Sequence, residues 1–245
     1  MIKIGLVGGI SWSSTLDYYR FINEETNKRL GGLNFAECII YSVNFNDFNA
    51  CNAAHDWKGA FGLLHNAALH LKAAGAGLIM LGANTAHIVA DEIAQSIDLP
   101  LVDIRMATAH AINQKKIKKV GLLGTVFTME LPFYKNKLLE HGIETLIPLH
   151  NADREFMEDT LLHELGKGII MPKTKSGYLR IANSLIERGA EAIILGCTEI
   201  PLMLSQDDFS VPVFNTTFIH AKAAVDYALN QVTATHSNLN DNETR

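Results

Sequence analysis

Short apolar runs alternate with longer amphipathic stretches along most of the chain. Buried strands read most clearly at Ile2–Val7, Glu37–Val43, Gly77–Leu81, Lys119–Leu123 and Ala192–Leu195, with weaker ones at Pro100–Asp103, Thr145–Pro148 and Val211–Phe214. Such near-continuous apolar runs mark strands covered on both faces. Helical periodicity lies between them, near Ser14–Leu30, Asp56–Ala74, Ala86–Ser96, Met129–His141, Asp153–Leu165, Thr174–Arg188 and Thr217–Leu229. This alternation predicts an α/β protein built from β-α-β units on parallel sheets. The tail from Thr233 to Arg245 is polar and aperiodic, and is expected to be a disordered terminus.

Two motifs recur. Lys3-Ile4-Gly5-Leu6-Val7-Gly8-Gly9 is echoed by Lys119-Val120-Gly121-Leu122-Leu123-Gly124-Thr125, and Leu78-Ile79-Met80-Leu81-Gly82-Ala83-Asn84 by Ala192-Ile193-Ile194-Leu195-Gly196-Cys197-Thr198. The offsets, 116 and 114 residues, are nearly equal. Two motifs in register indicate a duplicated unit. Residues 1–105 are expected to form one α/β domain, joined by the C-terminal helix 216–230, and 106–215 a second, with the halves meeting near 104–116. All four motifs occupy strand-to-helix turns, where parallel sheets bind ligands. Facing halves would make one pseudosymmetric cleft, with Ala83 and Cys197 approaching a ligand from opposite sides.

Composition narrows the classes. Hydrophobic residues make up 48% of the 245 and charged residues 19%, enough for a sizeable core and no case for disorder. A net charge of −5 argues against a nucleic-acid surface. Three cysteines without a CxxC form neither a disulfide framework nor a zinc site, and no HxH or HExxH appears. Met1 runs straight into an apolar strand, and glycines and polar residues break the apolar stretch Ala73–Ala90. A cytoplasmic protein with no membrane span is the expectation.

Cys197 is the sharpest chemical candidate. It follows a strand and Gly196 and precedes a short helix-like segment from Glu199, where a helix N-terminus would favour the thiolate. Cys38 sits within a strand as core; Cys51, in a polar stretch, is expected to be exposed and passive. Gly8-Gly9-Ile10-Ser11-Trp12-Ser13-Ser14-Thr15 is a glycine turn entering a hydroxyl-rich helix start, suited to a carboxylate or phosphate or simply to helix capping by Ser13 or Ser14. Asn84-Thr85-Ala86-His87 is a second polar helix start, from which His87 is expected to face the cleft. Lys167, flanked by glycines, is either a solvated lysine or a partner for a distal substrate carboxylate.

Together with Tyr18-Tyr19, Gly196-Cys197-Thr198-Glu199-Ile200, Pro212-Val213-Phe214-Asn215-Thr216-Thr217 and Ile219-His220-Ala221, these motifs closely resemble the aspartate/glutamate racemase family, over about residues 2 to 230. The resemblance implies two pseudosymmetric α/β domains with the active site in the cleft, a homodimer, and no cofactor, neither pyridoxal phosphate nor metal. It implies proton transfer at the α-carbon of an acidic amino acid, one cysteine removing the proton and a second donating from the other face. By the same resemblance Gly9, Ile10, Ser11, Asn84, Thr85 and Thr198 hold the α-carboxylate, and Asn52 and Lys167 contact substrate. The first-half cysteine of the family falls at Ala83, whose methyl group exchanges no proton; Thr85, His87 or a water is left as the weaker partner. Asn49 stands where related aspartate racemases tend to place an arginine. Two alternatives remain open: a single-cysteine decarboxylase or isomerase on the same scaffold, and a non-catalytic amino-acid-binding homologue.

Overall fold

The computed structural model describes residues 1–240, with side chains through residue 230. The chain forms two units: Met1–Gly82, Val89–Val102 and the stretch from His220 make unit 1, and Ala83–Ile88 and Asp103–Ile219 make unit 2. Unit 1 contains β1 (Ile4–Gly8), α1 (Trp12–Leu30), β2 (Cys38–Ser42), α2 (Phe45–Ala53), α3 (Trp57–Ala73), β3 (Leu78–Leu81), α4 (Ala90–Ser96) and β4 (Leu101–Val102). Its four strands are parallel in the order β2-β1-β3-β4, with Ile4 paired to Cys38 on one side and Leu78 on the other.

Unit 2 repeats the plan. It contains α5 (Ile104–Gln114), β5 (Lys119–Leu123), α6 (Val126–Glu130), α7 (Pro132–Glu140), β6 (Glu144–Leu146), α8 (Asn151–His163), α9 (Pro172–Glu187), β7 (Ala192–Leu195) and β8 (Val213–Asn215). Its parallel order is β6-β5-β7-β8, with Val120 paired to Thr145 and Ala192. Each strand of one sheet therefore has its counterpart four strands later in the other. Helix α10 (Thr216–Asn240) starts in unit 2 and continues into unit 1.

The apolar runs become the two cores. Ile4, Leu6, Leu78 and Met80 pack with Tyr18 and Ile22 of α1 and Ala221, Ala224 and Val225 of α10. In unit 2, Val120, Leu122 and Ile193 pack with Ile112, Leu138, Met157 and Ile181. Each fully buried Ile or Leu contributes about 1.5–3 kcal/mol against the entropy of ordering the chain.

The structure departs from the sequence reading in several places. The junction near 104–116 is helix α5, capped by the Asp103 carboxylate on the Arg105 and Met106 N–H groups. The polar stretch after β2 is helix α2. The single helix expected at Met129–His141 is two, because Leu131 precedes Pro132 and is forced to extended φ/ψ. Ala83–Ile88 packs with unit 2 rather than with the rest of 1–105, drawn there by bonds from Asn84 and Thr85. The last helix runs past Leu229 to Asn240, since extending a packed helix is far easier than nucleating one; the expectation for 241–245 lies outside the described residues. Among those described, no helix is long and apolar enough to cross a membrane.

Candidate active site

In unit 1, β1 ends in a tight turn. Gly9 has φ +87°, and a Cβ there would stand 2.2 Å from the Val43 carbonyl oxygen, so only glycine fits. Its N–H donates to Thr15 Oγ1 at 2.8 Å, and that hydroxyl donates to Ser11 O at 2.7 Å. The Ile10–Ser11 peptide is cis. Ser11, not Ser13 or Ser14, is the α1 N-cap, and its side chain makes no capping bond. The Ser11 hydroxyl instead shares a bond with Ser13 Oγ at 2.8 Å. Asn52, on α2, is buried with its Oδ1 lacking any hydrogen-bond partner.

Unit 2 holds the candidate reactive group. The Gly196 N–H donates to the last carbonyl of β5, Leu123 O, at 2.6 Å. A Cβ on Gly196 would sit 2.9 Å from that oxygen, so glycine lets the chain leave β7 across its neighbour. Cys197 follows, half-buried, and its thiol donates to Glu199 Oε2 at 2.9 Å. The Thr198 hydroxyl donates to the same oxygen at 3.0 Å. Burial, then the Glu199 carboxylate and, further off, Glu158, push the Cys197 thiol well above its ordinary pKa. This corrects the expected helix-favoured thiolate. The segment that follows is a 3-10 turn, Ile200–Leu202, too short for a helix dipole, and an acid stands against the sulfur instead.

Asn84 and Thr85 are fastened to this unit. Thr216 Oγ1 donates to Leu195 O at 2.8 Å and accepts from Asn84 Nδ2 at 3.0 Å. The hydroxyl has one proton and the carbonyl can only accept, so the network fixes the amide orientation. Asn84 Oδ1 is left buried without a partner. Thr85, Thr125 and Thr128 form a triangle of hydroxyls at 2.9, 3.0 and 3.2 Å. His87 does not face a ligand. It is fully buried, takes the Ile104 N–H on Nε2 at 3.2 Å, and donates from Nδ1 to Ala83 O at 2.9 Å. Ala83 is buried, and Lys167 lies exposed in the 3-10 turn Leu165–Lys167.

The structure thus gathers Ala83, Asn84, Thr85, Cys197 and Thr198 within unit 2, together with Lys167 in its exposed turn; Gly9, Ile10, Ser11 and Asn52 belong to unit 1. Sequence reasoning passed over Glu199 as a chemical group. The signal was an acid two residues from the cysteine in a turn too short to form a helix. Cys38 packs at the edge of the unit 1 core, where burial raises its thiol; Cys51 is half-buried rather than exposed. Among the described residues no cluster of three His, Cys, Asp or Glu could hold a metal ion.

The structure defines a doubled parallel α/β protein with a cysteine in a strand-end turn, and comparison makes the class specific. The sequence matches the Asp/Glu/Hydantoin racemase family over residues 7–224, and the chain belongs to that family. It is similar to a candidate Asp/Glu racemase from Yersinia pestis, 48% identical with a TM-score of 0.85, covering 94% of this chain and 100% of that one. An aspartate racemase homologue from Pyrococcus horikoshii OT3 is 38% identical, with a TM-score of 0.80 over 93% of this chain and 99% of that one. The broad specificity amino-acid racemase RacX of Bacillus subtilis (strain 168) is 25% identical over 226 residues, 91% of this chain and 96% of that protein. Family membership supports an amino-acid racemase function.

Proposed function

We propose that this protein exchanges the α-proton of acidic amino acids, aspartate or glutamate, through the Cys197 thiolate and without a cofactor. The observation that carries the reading is the Cys197 thiol held at the end of β7 with its proton directed at a carboxylate. The resemblance puts Asn84 on the α-carboxylate, but its Nδ2 is given to Thr216 and its buried, unpartnered Oδ1 is an acceptor, so it fits the substrate ammonium instead. Within unit 2, Thr85 and Thr198 supply donors for the α-carboxylate, where charge develops as the proton leaves, and Lys167 takes the side-chain end. The thiolate removes the α-proton, becoming a thiol, and returns a solvent-exchanged proton to the carbanion. With Ala83 in place of a second thiol the exchange is one-sided. We take a cytoplasmic homodimer as the working form, and the exposed α1 residues Trp12, Leu16 and Tyr19 along one helix face fit such a contact.

Proton NMR in heavy water tests this on L- and D-aspartate and L- and D-glutamate separately. At least one should lose its α-hydrogen signal, and Cys197→Ala should abolish the loss while binding and fold persist. Cys38→Ala should change stability at most. Retained washout in Cys197→Ala would remove the thiolate mechanism. A single cysteine opposite a methyl group also fits a decarboxylase that protonates an enolate, which carbon dioxide release from malonates would reveal. Tight amino-acid binding with no exchange would mark a binding protein.

A further inference from the structure

A half-buried thiol beside a carboxylate does not ionise readily to solvent, yet the proposed reaction needs a thiolate. The geometry points to Glu199 as the group that takes the Cys197 proton, making the thiolate inside the site. This rests on Cys197 being the base. Three titratable groups interact electrostatically with Cys197: Glu199 on the following turn, Glu158 on α8 and Tyr178 on α9. Tyr178 commits its hydroxyl proton to Met157 O at 3.2 Å, and Glu158 Oε2 takes the Val126 N–H at 2.8 Å. Glu199 bonds the thiol directly, at 2.9 Å, and Thr198 steadies the accepting oxygen.

The step balances internally. The S–H bond breaks, an O–H bond forms on Glu199 Oε2, and the pair carries one negative charge before and after. The low-dielectric setting that opposes net ionisation does not oppose this transfer, because no charge is created. The two groups titrate as a pair: losing the thiol proton to solvent would leave two adjacent anions, which raises the apparent thiol pKa. When the thiolate has taken the substrate proton, Glu199 gives its own back to solvent or waits for the reverse step. Glu199 acts through Cys197 rather than on substrate, so it is a positioning residue.

A carboxylate in this role makes two readouts move in opposite directions. Glu199→Gln removes the neighbouring charge, so the midpoint of Cys197 alkylation by iodoacetamide, followed by peptide mass spectrometry against pH, should fall by about one unit or more. The same variant has no acceptor, so α-proton washout should fall by about 10²-fold and rise more steeply with pH than in the native protein. A merely structural role would not make the thiol more reactive and the enzyme slower. Glu199→Asp, which keeps the charge, should hold the native alkylation midpoint and recover part of the exchange; it decides the question if the Gln variant fails to fold. An unchanged or higher midpoint in Glu199→Gln overturns the proposal, as does washout at the native rate, or complete loss of exchange in a folded Glu199→Asp. If the native protein exchanges no amino acid at all, the proposed function fails, while the alkylation midpoints still decide whether the Glu199 carboxylate governs the thiol.

Discussion

The turns after β3 and β7 are one backbone device built twice. In both, a glycine N–H crosses to a carbonyl at the end of the neighbouring strand, Gly82 to the penultimate carbonyl of β1, Val7 O, and Gly196 to the last of β5, Leu123 O, and in both a Cβ would come 2.9 Å from that oxygen. The side chains then diverge. The first turn continues with a methyl group, an amide and a hydroxyl, and closes on a buried histidine bonded to backbone on both ring nitrogens. The second continues with a thiol, a hydroxyl and a carboxylate that share one short network. Duplication has preserved the backbone that parallel sheets require, while proton-transfer groups are concentrated on one copy. On the proposed function, the first turn carries anchoring and substrate contacts and the second carries the chemistry.

Stereochemistry puts the largest strain on that division. If only the second turn carries a strong acid–base group, one enantiomer of the substrate should wash out its α-proton about 10²–10⁴-fold faster than the other. That faster exchange should also outrun conversion to the mirror image. Ala83→Cys should raise the slow enantiomer's rate and increase racemisation, provided the new thiol ionises. Equal fast rates for both enantiomers of the native protein would show that the first turn already carries a working group, with Thr85 and its hydroxyl triangle the first place to look.

Much of this division was legible in the sequence, and the misses have physical causes. β5 and β7 read to the residue because strands covered on both faces are continuous apolar runs. The Gly82 and Gly196 turns were found as a repeat because a backbone clash admits only glycine. Helix α5 was hidden because its buried stripe includes Arg105 and Thr108 beside Ile104, Ala109 and Ile112, so periodicity alone reads it as polar. Helix α2 buries only Phe48 and Asn52. In the site, Cys197 was visible from its position. The orientation of Asn84 was not, since it depends on a hydroxyl 132 residues away. His87 was misjudged because a helix-start histidine looks the same whether it faces substrate or backbone.

The anchoring around the first turn has a pH signature. Arg105 is almost fully buried and forks onto Asp103, with Nη2 2.6 Å from Oδ2. Burial alone would raise the Asp103 carboxyl, but the Arg105 guanidinium and N–H hold it well below the usual carboxylate range. A depressed folded-state pKa contributes stability above the unfolded value, about 4, and loses it as pH falls below that. Asp103→Asn leaves the buried guanidinium without its counter-ion and should cost about 3–5 kcal/mol at pH 7. Urea unfolding at pH 7 and pH 3 checks this: the gap between native and variant should narrow at the lower pH. A gap independent of pH would mean that the Asp103 charge does not support the fold.

The smallest effect separates anchoring from chemistry most directly. His87 joins the first turn to the start of α5, with Ala83 O on one ring nitrogen and the Ile104 N–H on the other. His87→Leu fills much of the same volume but leaves a buried carbonyl and a buried N–H unpaired, which should cost about 2–3 kcal/mol. Because the ring is directed at backbone on both sides, the folded variant should exchange substrate protons at the native rate per active molecule, with Cys197 alkylation unchanged. Urea midpoints and washout rates measured on the same samples test this. Native stability with slower exchange would move His87 from the anchor to the reaction, and the first turn would then hold an acid–base group of its own.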